Sequence, residues 1–245
     1  MPLYLIATPI GNLSDISQRA LDILKSAPVI AAEDTRSARR LLSAFNISTE
    51  GKQILVYEDH NEARMAPKLT EELKRGVDIA VVSEGGTPLV SDPGYRLVHA
   101  AIEAGVAVIP VPGPCAAIAA LSGSGLPVHA FLYRGFLPKK PGARRRILES
   151  LKDREETLIF YESPQRVPKI MPELVEIFGA TRRACLAREL TKMHETFVRL
   201  PLSELAEFIQ KQPPRGECTL LIAGAGTIED SDEPEENNHP VDGAL

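Results

Sequence analysis

Five polar segments of this chain carry side chains able to move protons or hold anions. Ala31-Ala32-Glu33-Asp34-Thr35-Arg36 sets two carboxylates beside an arginine, and Arg39 and Arg40 extend the positive charge. Asp34 reads either as a helix N-cap or as a group that accepts or orients a proton, with Arg36 then binding an anion. Tyr57-Glu58-Asp59-His60-Asn61-Glu62 offers His60 as a general base or substrate contact, the alternative being a solvated loop residue. Lys139, Lys140, Arg144, Arg145 and Arg146 crowd around Pro141-Gly142, where phosphate binding competes with plain helix solvation as the reason. Phe160 to Arg166 and Ala187 to Lys192 each set a cation (Arg166, Arg188, Lys192) beside a carboxylate, either for function or for salt bridges at a domain interface. No pair of histidines has metal-ligand spacing, so no metal is expected.

These segments need elements to position them. Apolar runs at 3–8, 29–32, 54–56, 78–83 and 107–111 read as strands, separated by helical patterns. Alternation of strand and helix predicts a mostly parallel sheet covered on both faces, forming a first domain over 1–113. Capping-box spacings at Asp15/Gln18 and Asp59/Glu62 predict two of its helix starts. Val81 to Gly94 predicts a strand, a loop of small residues, and a helix opened by Asp92-Pro93 and stopped at Gly105. Its glycines would let a ligand approach the main chain in the crevice beyond the strand ends.

A second α/β set follows over 114–226. Strands are predicted near 130–134, 157–161, 184–188, 196–200 and 218–223, with helices from Gly142, Pro164 and Leu202. The strands at 184–188 and 196–200 leave no room for a helix between them, which predicts an antiparallel hairpin and a mixed sheet.

Bulk composition narrows the classes. The 245 residues suit one large domain or two smaller ones, and no apolar run reaches membrane length. The opening Met-Pro-Leu-Tyr-Leu-Ile reads as a strand, without a signal peptide's basic region and cleavage site. Cys115, Cys185 and Cys218 are scattered, and reduced cytoplasmic thiols are expected. Seven of the 33 acidic residues lie between Thr227 and Leu245, where there is no lysine or arginine. That segment is expected to be a disordered tail over 227–245, leaving a body of slight positive charge that permits a nucleic-acid partner. Thr8-Pro9-Ile10-Gly11-Asn12-Leu13 is a glycine-containing turn, either plain or ligand-binding, and is neither a G-x-G-x-x-G fingerprint nor a P-loop.

Taken together, seven ordered motifs resemble one family. They are Thr-Pro-Ile-Gly-Asn-Leu (8–13), Ala-Ala-Glu-Asp-Thr-Arg (31–36), Asp-His-Asn-Glu (59–62), Gly-Thr-Pro-Leu-Val-Ser-Asp-Pro-Gly (86–94), Pro-Gly-Pro-Cys-Ala (112–116), Phe-Tyr-Glu-Ser-Pro (160–164) and Ala-Arg-Glu-Leu-Thr-Lys (187–192). The family is that of the bacterial methyltransferases acting on the 2′ oxygen of cytidine 1402 in 16S ribosomal RNA, within the tetrapyrrole-methylase-like enzymes. The resemblance implies two α/β domains holding S-adenosyl-L-methionine in the cleft between them, a homodimer, and 16S ribosomal RNA or the small subunit as partner. By motif, the cofactor would lie against Thr8, Pro9, Gly11, Glu84, Gly86, Thr87, Pro88, Pro112, Gly113, Ala116 and Tyr161. Asp34 or His60 would accept the proton, and Arg36 and Lys192 would position phosphates or the hydroxyl. Arg39, Arg40, the 139–146 cations, Arg166 and Arg188 would face RNA. Ser83-Glu84-Gly85 departs from the family's usual Ser-Asp-Ala. Two other readings stay open: a small-molecule methyltransferase of the same fold, and an RNA-binding or assembly protein without catalysis.

Overall fold

Strands β1 (Leu3–Ile6), β2 (Val29–Ala32), β3 (Gln53–Val56), β4 (Ile79–Val82) and β5 (Val108–Val111) form one fully parallel sheet in the order β3-β2-β4-β1-β5. The computed structural model describes residues 2–226, so the tail expectation at 227–245 lies outside the described residues. All four residues of β2 and of β4 are buried, as covering on both faces requires. Successive side chains divide between two cores. Ile6, Ile30, Ala32, Ala80 and Val82 meet α1 (Gln18–Ser26) and α2 (Thr35–Ala44), whereas Leu3, Val29, Ala31, Ile79 and Val81 meet α3 (Asp59–Lys74) and α4 (Tyr95–Glu103).

The second sheet runs β6-β7-β10-β8-β9, from β6 (Phe131–Phe136), β7 (Thr157–Glu162), β8 (Arg183–Arg188), β9 (Thr196–Pro201) and β10 (Cys218–Ile222). Only β6 and β7 pair in parallel; β8 and β9 form the expected antiparallel hairpin. Helices α6 (Pro141–Leu151), α7 (Val167–Phe178) and α8 (Leu202–Lys211) pack on one face. The short, Ala-rich α5 (Ala116–Ser124) packs on the other, over Ile159, Cys185, Ala187 and Leu221. Cys185 and Cys218 are free, and burial pushes each thiol up to about 11.

Four predicted helix starts move, among them that of α7, expected from Pro164 but beginning at Val167 after a turn over 164–166. A 3-10 turn occupies Leu13–Asp15, so α1 begins later, capped by Ser17 accepting from the Ala20 N–H. The capping box of α3 is built by Glu58 and Asn61, one position before the predicted pair. Asp92-Pro93 does not open α4. Gly94, at φ +140, breaks the path there, and the helix starts at Tyr95. Its first N–H groups are satisfied from a neighbouring helix: Glu62 Oε1 accepts from the backbone N–H of Gly94 at 3.0 Å and of Arg96 at 2.9 Å.

Candidate active site

The loops leaving β1, β4 and β5 are stitched to one another. Thr8 and Gly86 exchange two backbone hydrogen bonds, each 2.9 Å, in an isolated antiparallel bridge. Gly86 adopts φ +90, a conformation side chains disfavour, and a Cβ on Gly85 would stand 3.1 Å from the Pro9 carbonyl oxygen. The Thr87 hydroxyl donates to the Pro114 carbonyl at 3.0 Å. From the second sheet, the Tyr161 hydroxyl accepts from the Ala117 N–H at 3.0 Å, and its ring meets Tyr133 edge-on at 5.0 Å. Ser91 and Tyr133 share a 2.5 Å hydroxyl–hydroxyl bond across the lobes.

Between the lobes these loops enclose a cleft of about 520 Å³, a size suited to one small organic ligand. Pro9, Glu84, Gly86, Thr87, Ala116 and Tyr161 line it, with Glu33, Asp92, Phe136 and Glu162. Exposed glycine backbone forms one wall and aromatic rings part of another, a donor set appropriate to a nucleoside. Carboxylates gather at one corner. Burial raises the Glu33 pKa, and Asp92, Glu84 and Asp59 push it further. Burial also raises Asp92, opposed by a hydrogen bond from Ser83 and reinforced by Glu84 and Asp59. Burial lifts the Tyr161 phenol as well. Glu162 is raised by burial too; one oxygen accepts from the Ser163 N–H at 2.8 Å and the other faces Arg166 at 3.2 Å.

Residues 2–206 match the tetrapyrrole (corrin/porphyrin) methylases. Over 236 residues the chain is 48% identical to the ribosomal RNA small subunit methyltransferase I of Vibrio cholerae, spanning 96% of this chain and 81% of that protein. The same-named protein of Pseudomonas aeruginosa is 46% identical over 224 residues, 91% of this chain and 78% of its own length. The chain belongs to this methyltransferase I family.

Solved structures show the same fold at lower identity. The methyltransferase CobJ superposes with a TM-score of 0.69 at 19% identity, covering 94% of this chain and 96% of its own. A uroporphyrin-III C-methyl transferase from Thermus thermophilus, complexed with S-adenyl homocysteine, gives 0.63 at 21%, covering 91% and 97%. The two-lobed α/β fold implied by the sequence motifs is the observed one, and the protein is a methyltransferase.

The structure distributes this methyltransferase's remaining candidates unevenly. Thr8 and Gly11, with Pro9 and Glu84, line a hollow of about 420 Å³ beside the cleft. Pro88, Pro112 and Gly113 are not on the cleft wall: Pro88 is buried, and Pro112 and Gly113 are exposed, Gly113 beside Ala7. Asp34 caps α2 by accepting from the Arg36 N–H at 2.7 Å and ion-pairs the Arg36 guanidinium at 3.1 Å, outside the cleft wall. The Arg36 side chain holds its carboxyl below the usual carboxylate range. His60 is exposed and pairs with Glu58 at 2.9 Å. Lys192 donates to Glu189 at 3.0 Å and to Glu217, on the cleft wall, at 3.1 Å.

Most of the expected RNA-facing cations are already paired. Arg144 holds Glu173 at 2.6 Å, both nearly buried; Arg145 holds Glu149 and Glu176. Arg166 donates to the Leu137 and Pro138 carbonyls, and Arg188 to Thr196 and the Arg215 carbonyl. Arg40 donates to the Ser37 hydroxyl. Among the described residues Arg39, Lys139, Lys140 and Arg146 have no ion pair. Sequence reasoning passed over Glu33 and Asp92 as site residues. Asp92 looked like a cap, and strand alternation puts Glu33 and Asp34 on opposite sides without saying which side meets the cleft.

Proposed function

We propose that this methyltransferase transfers a methyl group from S-adenosyl-L-methionine to the ribose 2′ oxygen of cytidine 1402 in 16S ribosomal RNA. The observation that carries the reading is the interlobe cleft, walled by glycine backbone on one side and carboxylates on the other, in a chain sharing 48% identity with a ribosomal RNA small subunit methyltransferase I. Pro9, Glu84, Gly86, Thr87, Ala116 and Tyr161 hold the cofactor. When bound, S-adenosylmethionine supplies an electrophilic methyl group on a positively charged sulfur.

The protein's own residues supply the rest. Glu33, Glu84 and Asp92 make the corner electronegative, which favours a cationic ligand. A ribose hydroxyl is a weak acid, and its proton must leave as the new bond forms. One carboxylate of the Glu33/Asp92 pair receives it at an oxygen, because burial and mutual repulsion make both more basic than an ordinary carboxylate. Asp34 is a poorer acceptor, being bound to the α2 terminus and to Arg36. His60 lies outside the cleft wall. Closing the cleft with Tyr133, Phe136 and Tyr161 limits water near the methyl group.

Residues 1–113 and 114–226 act as two domains that meet at the cleft. A homodimer and a cytoplasmic location belong to the same reading. Exposed Tyr95 and Ile102 on α4 support self-association. Among the described residues no helix is long and apolar enough to cross a membrane. Nucleotide-resolution mapping of 2′-O-methylation in small-subunit RNA, with and without the gene, tests the function. Loss of the mark at cytidine 1402 is expected on deletion, and its persistence refutes the assignment.

A further inference from the structure

The hollow beside the cleft belongs to the first lobe alone, under the loop that leaves β1 and against α2. Pro9, Ile10, Ser37 and Glu84 contribute to both spaces, so the two adjoin. Its volume of about 420 Å³ again falls in the range of small-ligand pockets. Leu13 and Leu41 make it largely apolar, and Leu13 is left 47% exposed. Thr8 lines it, 2% exposed, with a buried hydroxyl oxygen that has no hydrogen-bond partner among the described residues. A buried hydroxyl without a partner is unusual and suits a site that a polar ligand completes. Arg40 is exposed and, among the described residues, tied only to the Ser37 hydroxyl at 3.0 Å.

We propose that this hollow receives the nucleotide to be methylated, a pyrimidine turned out of its RNA strand. The inference rests on the function proposed above. Methyl transfer needs two ligands in contact, and the hollow shares a wall with the cofactor cleft. Aliphatic side chains from Ile10, Leu13 and Leu41 take the faces of the unstacked base. The Thr8 hydroxyl bonds a polar edge of the base, since a hydroxyl can donate or accept. Arg40 takes the adjoining phosphate, for which a guanidinium is well shaped. Thr8 is thereby a substrate contact and not a cofactor contact.

Ala44, exposed on α2, lines the hollow without reaching the cleft, so Ala44→Trp fills one space and spares the other. The full-length protein should keep its S-adenosylmethionine affinity by calorimetry while kcat/KM on small-subunit RNA falls by about 100-fold. Thr8→Val keeps the shape and removes the hydroxyl; it should raise the KM for RNA about tenfold with cofactor affinity unchanged. Wild-type rates in both variants, or loss of cofactor affinity in Thr8→Val, overturn the inference. A wild-type protein that binds the cofactor but leaves the cytidine 1402 sugar unmethylated overturns the function itself, and is distinguished by being seen before any variant is made.

Discussion

The Asn12 backbone N–H donates to the Thr191 hydroxyl at 3.0 Å, tying the first loop of one lobe to the β8–β9 loop of the other. Gly11 makes that approach possible, because a Cβ there would overlap the Lys192 side chain and press on Thr191 Oγ1. Glu189 and Thr191 hold positive φ angles of 50° and 64°, so this loop has little freedom to retreat. Gly11→Ala should therefore separate the lobes and weaken S-adenosylmethionine binding by about tenfold, measured by calorimetry. Thr191→Val, which removes only the hydrogen bond, should weaken it less.

Glu62 and His60 belong to one motif but should behave oppositely. Glu62 is buried, accepting from Tyr57 as well as from the α4 terminus, so Glu62→Ala should cost about 3 kcal/mol in urea unfolding. His60→Ala, on an exposed pair with Glu58, should stay within about 0.5 kcal/mol. Equal effects would refute this division of the motif.

Glu33 and Asp92 bind protons more tightly in the folded protein than in the unfolded chain. The stability linked to them is fully present below their ordinary values of 4.5 and 3.8 and is lost as pH rises through the raised folded values. Glu33→Gln and Asp92→Asn should accordingly raise Tm at about pH 7 and change it little at about pH 3. Both should lower methylation at neutral pH. A variant that is less stable at neutral pH would contradict the raised pKa.

The basic segment at 139–146 should split by pairing. Arg144→Ala breaks a nearly buried ion pair with Glu173 and should destabilise the fold by about 3 kcal/mol. Replacing Lys139, Lys140 and Arg146 by alanine should leave Tm unchanged and weaken RNA binding. Every cation that neutralises a phosphate should, once removed, flatten the salt dependence by about 0.7 in log K against log salt. An unaltered slope would remove this face from the RNA interface.

The lobes and their strands were legible in the chain because burial on both faces demands unbroken apolar runs, such as Val29–Ala32 and Ile79–Val82. The β8–β9 hairpin was legible because its connection is too short for a crossover. Helix starts were less so. Ser17, Glu58 and Gly94 displaced the predicted caps, since several polar residues near each start can satisfy the same N–H groups, and Gly94 reversed the path after Asp92.

The motif set alone carried the family resemblance and the cofactor class. Which carboxylate faces the cleft, which cations remain unpaired and where the lobes touch depended on tertiary structure. Asp34 and Glu33 are neighbours of similar chemistry, yet Arg36 and the α2 terminus engage one while the cleft receives the other. Arg144 and Arg146 are the same residue type on one helix, yet α7 brings Glu173 to Arg144 while Arg146 stays exposed. Local sequence determines the strand and the loop; a side chain's partner is determined by segments folded against it from far along the chain.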